Sequence, residues 1–301
     1  MLKNKIIGFI GLGRIGTPVV MNLLEKGYKI LVYDINENAI KKVVDMGALK
    51  QKNASALSKE SDIVITMVPD APDVEKATLG NEGIIHGIRP GSVYIDMSTI
   101  DPITSRRIGK KMMEKGISMI DAPVAKTTEN ARNGTLAFMV GGEQKDVKKI
   151  MPLINDMGDS VVYCGKLGNG HAMKLVNNYI SSGIIAILSE ALTFGISTGL
   201  KLEDIQSLIM STFAKNGILG ELLPKKAFLG NFEPGFYTKL SLKDQKLALT
   251  LAKASGIKTP VGEGVLDALI DACNEGYEKM DLTSMLLVRE NEAGIKVRSS
   301  K

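Results

Sequence analysis

Four polar side chains lie along one face of a long apolar segment of this 301-residue chain. Their positions i, i+3, i+4 and i+7 define one side of a helix: Lys174, Asn177, Asn178 and Ser181. The neighbouring residues are mostly apolar, so this polar stripe is predicted to lie on a largely buried helix, where polar groups need partners. A substrate with several oxygens would supply them, and a desolvated lysine becomes suited to proton transfer. The alternative is a solvated face, or hydrogen bonds to another part of the protein.

A second candidate site is the glycine-rich turn Gly11-Leu12-Gly13-Arg14-Ile15-Gly16, which follows an apolar run and opens a helical pattern. In that context the glycines permit a tight turn, a close approach to pyrophosphate, and close packing of helix on strand. The pyrophosphate would meet backbone amides at the positive end of the helix dipole. A glycine turn without a ligand is the structural alternative.

Asp34 ends the next predicted strand, about 20 residues beyond the turn, where a carboxylate binds the ribose hydroxyls of a dinucleotide. The same charge would repel a 2′-phosphate, so the sequence favours NAD(H) over NADP(H). The alternative role for Asp34 is that of a helix N-cap.

A third candidate is the short polar cluster Lys126, Thr127 and Thr128, which follows a predicted strand end in the glycine-punctuated segment 121–142. Ligands of open α/β sheets bind beyond the carboxyl ends of strands, and a lysine with hydroxyls suits an anion. An ordinary surface loop is the alternative.

These residues require a scaffold of alternating strands and helices. Apolar runs predict strands at residues 6–10, 29–33, 62–68, 92–97, 117–120, 136–140 and 161–163. Helical patterns at residues 17–26, 36–46 and 102–115 lie between them, and a long one covers 172–198. The predicted fold class is therefore α/β, a Rossmann-type doubly wound sheet plus an all-α C-terminal domain joined by a long helix. The predicted domains are 1–165, the interdomain helix 166–199, and 200–301.

The composition of the chain limits the kinds of partner that it is expected to bind. The formal net charge is +5, and the basic residues form no dense tract, so nucleic-acid binding is not expected. Cys164 and Cys273 match no metal or redox spacing, and no metal site is expected. His86 and His171 are isolated in sequence and are expected to be structural or exposed. With no signal peptide or bilayer-spanning run expected, the protein is predicted to be cytoplasmic, without a membrane partner.

Several motifs occur together in one order along the chain. They are 8-GFIGLGRIG-16, 121-DAPV-124, 134-GTL-136, 139-MVGG-142, 168-GNGHAMKLVNN-178 and 243-KDQKLA-248. This set resembles the β-hydroxyacid dehydrogenase family over almost the whole chain. The resemblance implies that Lys174 is the catalytic lysine, which exchanges a proton with the substrate oxygen while hydride moves to or from the nicotinamide. It implies a substrate-binding role for Asn178 and cofactor contacts at Met67, Val68, Pro69, Thr99 and Lys243.

One loop departs from the family pattern. Many members follow the Asp-x-Pro-Val motif with Ser-Gly-Gly, which cradles a carboxylate, whereas this chain has Ala125, Lys126 and Thr127. The loop is similar to that of the sulfolactaldehyde reductase branch, where an arginine-threonine pair stands here and an asparagine and a serine of the long helix also hold the sulfonate. Asn177 and Ser181 match those two positions. Lys126 keeps the charge of the arginine but not its forked geometry.

The resemblance therefore predicts NADH-dependent reduction of a small anionic aldehyde, with 3-sulfolactaldehyde giving 2,3-dihydroxypropane-1-sulfonate as the leading reaction. The alternative is a carboxylate substrate of the 3-hydroxyisobutyrate, 4-hydroxybutyrate or tartronate semialdehyde type. A non-catalytic dinucleotide sensor is a third possibility, but it would have no need of Lys174, Asn178 and Lys243. The resemblance also implies a homodimer or homotetramer.

Overall fold

The computed structural model describes residues 2–299, which divide between Lys174 and Leu175 into an N-terminal and a C-terminal unit. The strands of the N-terminal unit are β1 Ile6–Ile10, β2 Lys29–Tyr33, β3 Leu49–Lys50, β4 Ile63–Thr66, β5 Val93–Asp96, β6 Ser118–Asp121, β7 Val124–Ala125, β8 Leu136–Gly141 and β9 Gly158–Gly165. Its helices are α1 Gly16–Glu25, α2 Glu37–Val44, α3 Ala54–Glu60, α4 Ala71–Leu79, α5 Pro102–Glu114, α6 Thr128–Asn133 and α7 Gln144–Met157.

The strands form one sheet in the order β3-β2-β1-β4-β5-β6-β8-β7, with β9 paired to β8. The first six strands in this order, from β3 to β6, are all parallel to one another. Strand β8 runs antiparallel to β6 and β7 but parallel to β9. Residues of β1 such as Ile7 and Phe9 are fully buried, as expected for a parallel strand covered on both faces. The predicted doubly wound sheet is therefore confirmed.

Several elements of this unit were not predicted. Strands β3 and β7 have only 2 residues each, too few for an alternating or continuous apolar pattern. Helix α6 is 6 residues long and lies inside the glycine-punctuated segment. Helix α7 carries Pro152 in its interior, which sequence patterns treat as a helix breaker.

The carboxyl ends of the central strands lie side by side. In the register of the sheet, Ile10 pairs with Tyr33 and Thr66, Thr66 pairs with Asp96, and Asp96 pairs with Asp121. The segments that follow these strands therefore emerge at one edge of the sheet, which is the edge that binds ligands in open α/β folds.

The C-terminal unit is helical. Helix α8 Asn169–Ser197 begins in the N-terminal unit and continues into this one. The other helices are α9 Leu202–Met210, α10 Leu223–Lys225, α11 Thr238–Ala254, α12 Pro260–Ala272 and α13 Met285–Ala293, with π-helical turns at Ile218–Leu222 and Cys273–Tyr277. Two apolar clusters form its core, one around Leu192 and Phe228 and the other around Ile185 and Leu269.

Helix α8 is long and apolar enough, by length and composition alone, to cross a membrane. Its buried residues Ile185, Leu188 and Leu192 pack in the clusters of the C-terminal unit, and it also buries Ser182 and Ser189. Contacts of this kind are those of the core helix of a globular protein.

Candidate active site

The glycine turn joins β1 to α1 in a shape that only glycine fits. Gly11 has a φ of +100°, and a β-carbon there would lie 2.2 Å from the carbonyl oxygen of Met67. A β-carbon on Gly16 would lie 2.0 Å from the carbonyl oxygen of Gly11. Gly13 differs, because a β-carbon there would meet no heavy atom of the described residues within 4 Å. The open side of the turn therefore lies at the second glycine, where a pyrophosphate approaches the backbone in such folds.

The start of α1 fits the same ligand. Ile15 is the N-cap of this helix, and its side chain makes no capping hydrogen bond. Those amides carry the positive end of the helix dipole, which suits an anion. The turn and the helix thus have the features needed to hold a dinucleotide.

Asp34 ties the end of β2 to this turn. Its Oδ2 accepts a hydrogen bond of 2.5 Å from the amide of Leu12, and its Oδ1 accepts one of 2.7 Å from the amide of Asn36. The N-cap of α2 is Asn36, whose side chain accepts from Asn38 and Ala39. Asp34 is therefore not the helix cap, and its half-buried carboxylate lies beside the glycine turn.

The predicted cofactor loop follows β4. Met67 and Val68 are half-buried and Pro69 is exposed. The amide of Val68 donates to Oγ of Ser98, and the amide of Ser98 donates to Oδ1 of buried Asp96, both at 3.0 Å. The half-buried Thr99 follows directly. The loops after β4 and β5 are therefore held together at the carboxyl edge of the sheet.

Lys126 is exposed, and it is the one non-glycine residue of the described part of the chain with a φ in the left-handed region, at +85°. Its Nζ donates to the carbonyl oxygen of Thr135 at 2.8 Å and to Oδ1 of Asp159 at 2.5 Å. Glycine adopts such a φ without steric cost, whereas a residue with a β-carbon rarely does. The predicted anion-binding lysine is thus paired with a carboxylate.

Thr127 is the N-cap of α6. Its hydroxyl accepts from the amide of Asn130, and the Asn130 side chain accepts from the amide of Thr127 in return, which forms a capping box. The hydroxyl predicted to bind substrate therefore also begins a helix.

A buried carboxylate binds the first backbone amides of helix α8. Asp121, at the end of β6, accepts from the amide of Gly168 at 2.8 Å and from the amide of His171 at 2.7 Å. A negative charge here satisfies the free amides of the first turn and complements the helix dipole. Half-buried Lys174 follows one turn later on the same helix face as His171.

The polar stripe continues along α8 into the C-terminal unit. Asn178 is buried, and its Nδ2 donates to Oδ2 of Asp244 at 2.6 Å. Nδ2 of Asn177 donates to Oδ1 of Asn178 at 3.1 Å, while the Ser181 hydroxyl donates to the carbonyl oxygen of Asn177 at 2.9 Å. Nζ of Lys243 lies 3.1 Å from the other Asp244 oxygen. Asp244 therefore fixes two predicted site residues, Asn178 and Lys243.

Sequence reasoning did not identify some of the residues that organise this site. His171 is isolated in the sequence, but in the structure it lies fully buried between Asp96 and Asp121. Asp96 and Asp121 each end a buried strand. A carboxylate at the end of an apolar run is the sequence signal that could have identified them as site residues. No group of His, Cys, Asp and Glu side chains within residues 2–299 has a metal-binding arrangement.

A doubly wound sheet with this glycine turn, followed by a helical unit, defines a dehydrogenase that uses a nicotinamide dinucleotide. Residues 6–165 match the NAD-binding domain of 6-phosphogluconate dehydrogenase, and residues 168–288 match the domain described as NAD-binding of NADP-dependent 3-hydroxyisobutyrate dehydrogenase. The chain belongs to the β-hydroxyacid dehydrogenase family, whose members are oxidoreductases acting on CH–OH groups.

The matched relatives span nearly the whole chain. The 3-sulfolactaldehyde reductase of Escherichia coli K12 is 32% identical over 93% of this chain and 94% of its own length. The 2-(hydroxymethyl)glutarate dehydrogenase of Eubacterium barkeri is 33% identical over 99% of both chains. The structure of Mycobacterium tuberculosis 3-hydroxyisobutyrate dehydrogenase with L-serine superposes with a TM-score of 0.87 at 26% identity, covering 94% of this chain and 98% of that one.

Proposed function

We propose that this enzyme interconverts a small anionic aldehyde and its alcohol with NAD(H), and that Lys174 is its proton-transfer residue. The observation that carries the proposal is the placement of Lys174 on the first turns of α8, which Asp121 holds at the same edge of the sheet from which the glycine turn emerges. The bound dinucleotide would supply hydride to the carbonyl carbon. The carbonyl oxygen then needs one proton, which Lys174 donates from its ammonium group.

Asn178 is proposed to hold the substrate. The bonds to Asp244 and Asn177 fix its orientation, since they occupy one hydrogen of its Nδ2 and its Oδ1. The second hydrogen of Nδ2 is then oriented by the protein before any substrate binds. A donor whose orientation is fixed in advance loses little freedom on binding and contributes more of its hydrogen bond to catalysis.

NADH is proposed as the preferred cofactor. Both oxygens of Asp34 accept backbone amides, so its negative charge is fixed beside the glycine turn. A 2′-phosphate near this charge would be repelled. A matched family is named for NADP-dependent enzymes, so the preference needs measurement. The ratio of kcat/KM for NADH and NADPH tests it, and a ratio below one contradicts it.

The proposed substrate carries a sulfonate, with 3-sulfolactaldehyde as the leading candidate. Support comes from the lysine at position 126, from the Asn177 and Ser181 matches on α8, and from the similarity to a 3-sulfolactaldehyde reductase. The Lys126–Asp159 pair does not remove this role. Its side chains are 35% and 49% exposed, and a pair this exposed is worth only about 0–1 kcal/mol.

A carboxylate substrate is the second candidate. Support comes from the similarity, at 32–33% identity, to a 2-(hydroxymethyl)glutarate dehydrogenase and to a 3-hydroxyisobutyrate dehydrogenase. Steady-state kinetics with 3-sulfolactaldehyde, tartronate semialdehyde and methylmalonate semialdehyde would decide between the two. A higher kcat/KM for either carboxylate would overturn the sulfonate proposal and leave the dehydrogenase assignment intact.

A further inference from the structure

His171 lies in a fully buried cluster with two carboxylates. Its Nε2 is 3.8 Å from Oδ2 of Asp96, its Nδ1 is 3.7 Å from Oδ2 of Asp121, and none of the three side chains is exposed. Both ring nitrogens, and Oδ2 of Asp96, lack a hydrogen-bond partner among the described residues. Buried polar atoms of this kind are rare in folded proteins and call for a physical explanation.

The imidazole ring of His171 lies between the carboxylates of Asp96 and Asp121. The two ring nitrogens face different carboxylates, so no single point can be coordinated by both of them, and a chelated metal ion does not explain the cluster. The distances exceed those of a hydrogen bond but lie within the range of a charge pair. Two buried carboxylates without a cation would be strongly unfavourable. A protonated imidazole between them would supply the missing charge.

Each carboxylate is anchored to a different part of the site. Asp96 accepts from Oγ1 of Thr66 at 2.9 Å and from the amide of Ser98, whose hydroxyl holds the cofactor loop. Asp121 accepts from the amides that begin α8. His171 itself belongs to α8 and lies three residues before Lys174. The cluster therefore joins the strand ends under the cofactor loop to the helix that carries the lysine.

We propose that His171 is a positioning residue, held as an imidazolium between Asp96 and Asp121, which fixes the first turn of α8 and with it Lys174. The inference rests on the proposed function only for the role of Lys174. Tyr94 shares Thr66 with Asp96, Cys164 lies near Asp121, and Lys174 lies one turn further along α8. Among the three buried side chains of the cluster itself, His171 is the one that can carry a positive charge.

The first test is spectroscopic and needs no substrate. The sequence has only 2 histidines, so His86→Gln leaves a single imidazole signal to assign. At pH 8 an ordinary histidine is neutral. We expect the ¹⁵N and ¹³C ring shifts of His171 to be those of an imidazolium at this pH, and to remain so after dialysis against EDTA. Neutral-imidazole shifts, or a change on metal removal, would overturn the proposal.

The second test uses charge rescue. Asp96→Asn keeps an Oδ1 acceptor for Thr66 and Ser98, removes the charge, and replaces Oδ2 with an amide nitrogen. We expect His171→Gln to lower kcat by about 10- to 100-fold through misplacement of the lysine, with the dissociation constant of NADH changed by less than about 2-fold. Adding Asp96→Asn should restore kcat at least about 5-fold, because the uncompensated charge is then removed. His86→Gln is the matched control and should retain the wild-type kcat.

The outcomes separate this inference from the proposed function. Wild-type kcat in His171→Gln, or no rescue by Asp96→Asn, overturns the positioning role. If no aldehyde is reduced by the wild-type enzyme, the proposed function fails, while the ring shifts of His171 still decide its charge. If His171→Gln does not fold, the ring shifts measured in His86→Gln still test the imidazolium, and neutral-imidazole shifts overturn the proposal.

Discussion

The side-chain amine of Lys126 lies 2.5 Å from Oδ1 of Asp159, in a loop where the backbone of Lys126 is left-handed with a φ of +85°. The pair holds the side chain of a lysine whose backbone has a conformation that favours glycine. An exposed ion pair contributes little to stability, so it can guide the side chain and still exchange for an anionic ligand. The net charge of the Lys126 side chain and its partner is therefore set by two residues that can be changed separately.

Asp159→Asn should release the Lys126 charge. If Lys126 contacts the anionic group of the substrate, KM for an anionic aldehyde should fall by about 2- to 5-fold, the equivalent of up to about 1 kcal/mol, with kcat unchanged. Steady-state kinetics at low ionic strength measure this change, and added salt should reduce it. Glu129→Gln is the matched control, because Glu129 is an exposed carboxylate of the adjacent helix. Equal effects of the two variants on KM would show that substrate binding depends on the net charge of this region and not on the Lys126–Asp159 pair.

Lys126→Gly should be more stable than Lys126→Ala. Both variants lose the ion pair, but only glycine adopts a φ of +85° without steric cost. The expected difference in the free energy of unfolding is about 1 kcal/mol in favour of glycine. Urea unfolding of the two variants measures it. Equal stabilities would mean that the backbone at this position changes when the lysine is removed.

Lys174→Ala should lower kcat by at least about 100-fold, because it removes the proposed proton donor. NADH binding should stay within about 2-fold of wild type, since the glycine turn and Asp34 are untouched. Single-turnover reduction and the change in NADH fluorescence on binding give the two quantities. Lys201→Ala, which alters the exposed residue before α9, should retain full activity. Retained turnover in Lys174→Ala would remove this lysine from the mechanism.

Cys164 should react slowly with thiol reagents. Burial and the nearby Asp121 carboxylate raise the pKa of its thiol above the ordinary value. Because the thiolate is the reactive form, a raised pKa lowers the reactive fraction at pH 8, and the rate should continue to rise with pH above 9. Alkylation rates of Cys273→Ser, which leaves Cys164 as the sole thiol, measure this dependence. A rate that levels off below pH 8 would contradict an ionised Asp121 beside the thiol.

The sequence predicted those parts of the fold and the site whose signals are local. The apolar run before Gly11 and the helical pattern after Gly16 predict β1, the turn and α1, because each depends on neighbouring residues. The i, i+3, i+4 and i+7 spacing likewise predicts the face of α8 that carries Lys174 and Asn178. These patterns repeat within one element and need no knowledge of distant contacts.

The relationships between distant residues could not be predicted in this way. Asp159 lies 33 positions from Lys126, and Asp121 lies 50 positions from His171. Both pairs form only when the sheet brings separate strand ends together. The sequence shows a lysine and a histidine at these positions, but it does not show which carboxylate each of them faces.

Asp34→Asn should shift cofactor preference toward NADPH. The asparagine keeps one side-chain oxygen for the amide of Leu12 or Asn36 and loses the negative charge. The ratio of kcat/KM for NADPH to that for NADH should rise by about 10-fold, a change of about 1.4 kcal/mol, because the repulsion of the 2′-phosphate is removed. Glu37→Gln, three residues further on and paired with Lys50, is the matched control and should leave the ratio within about 2-fold of wild type. If the ratio does not change in Asp34→Asn, then the carboxylate serves only to hold the turn, and its charge does not select the cofactor.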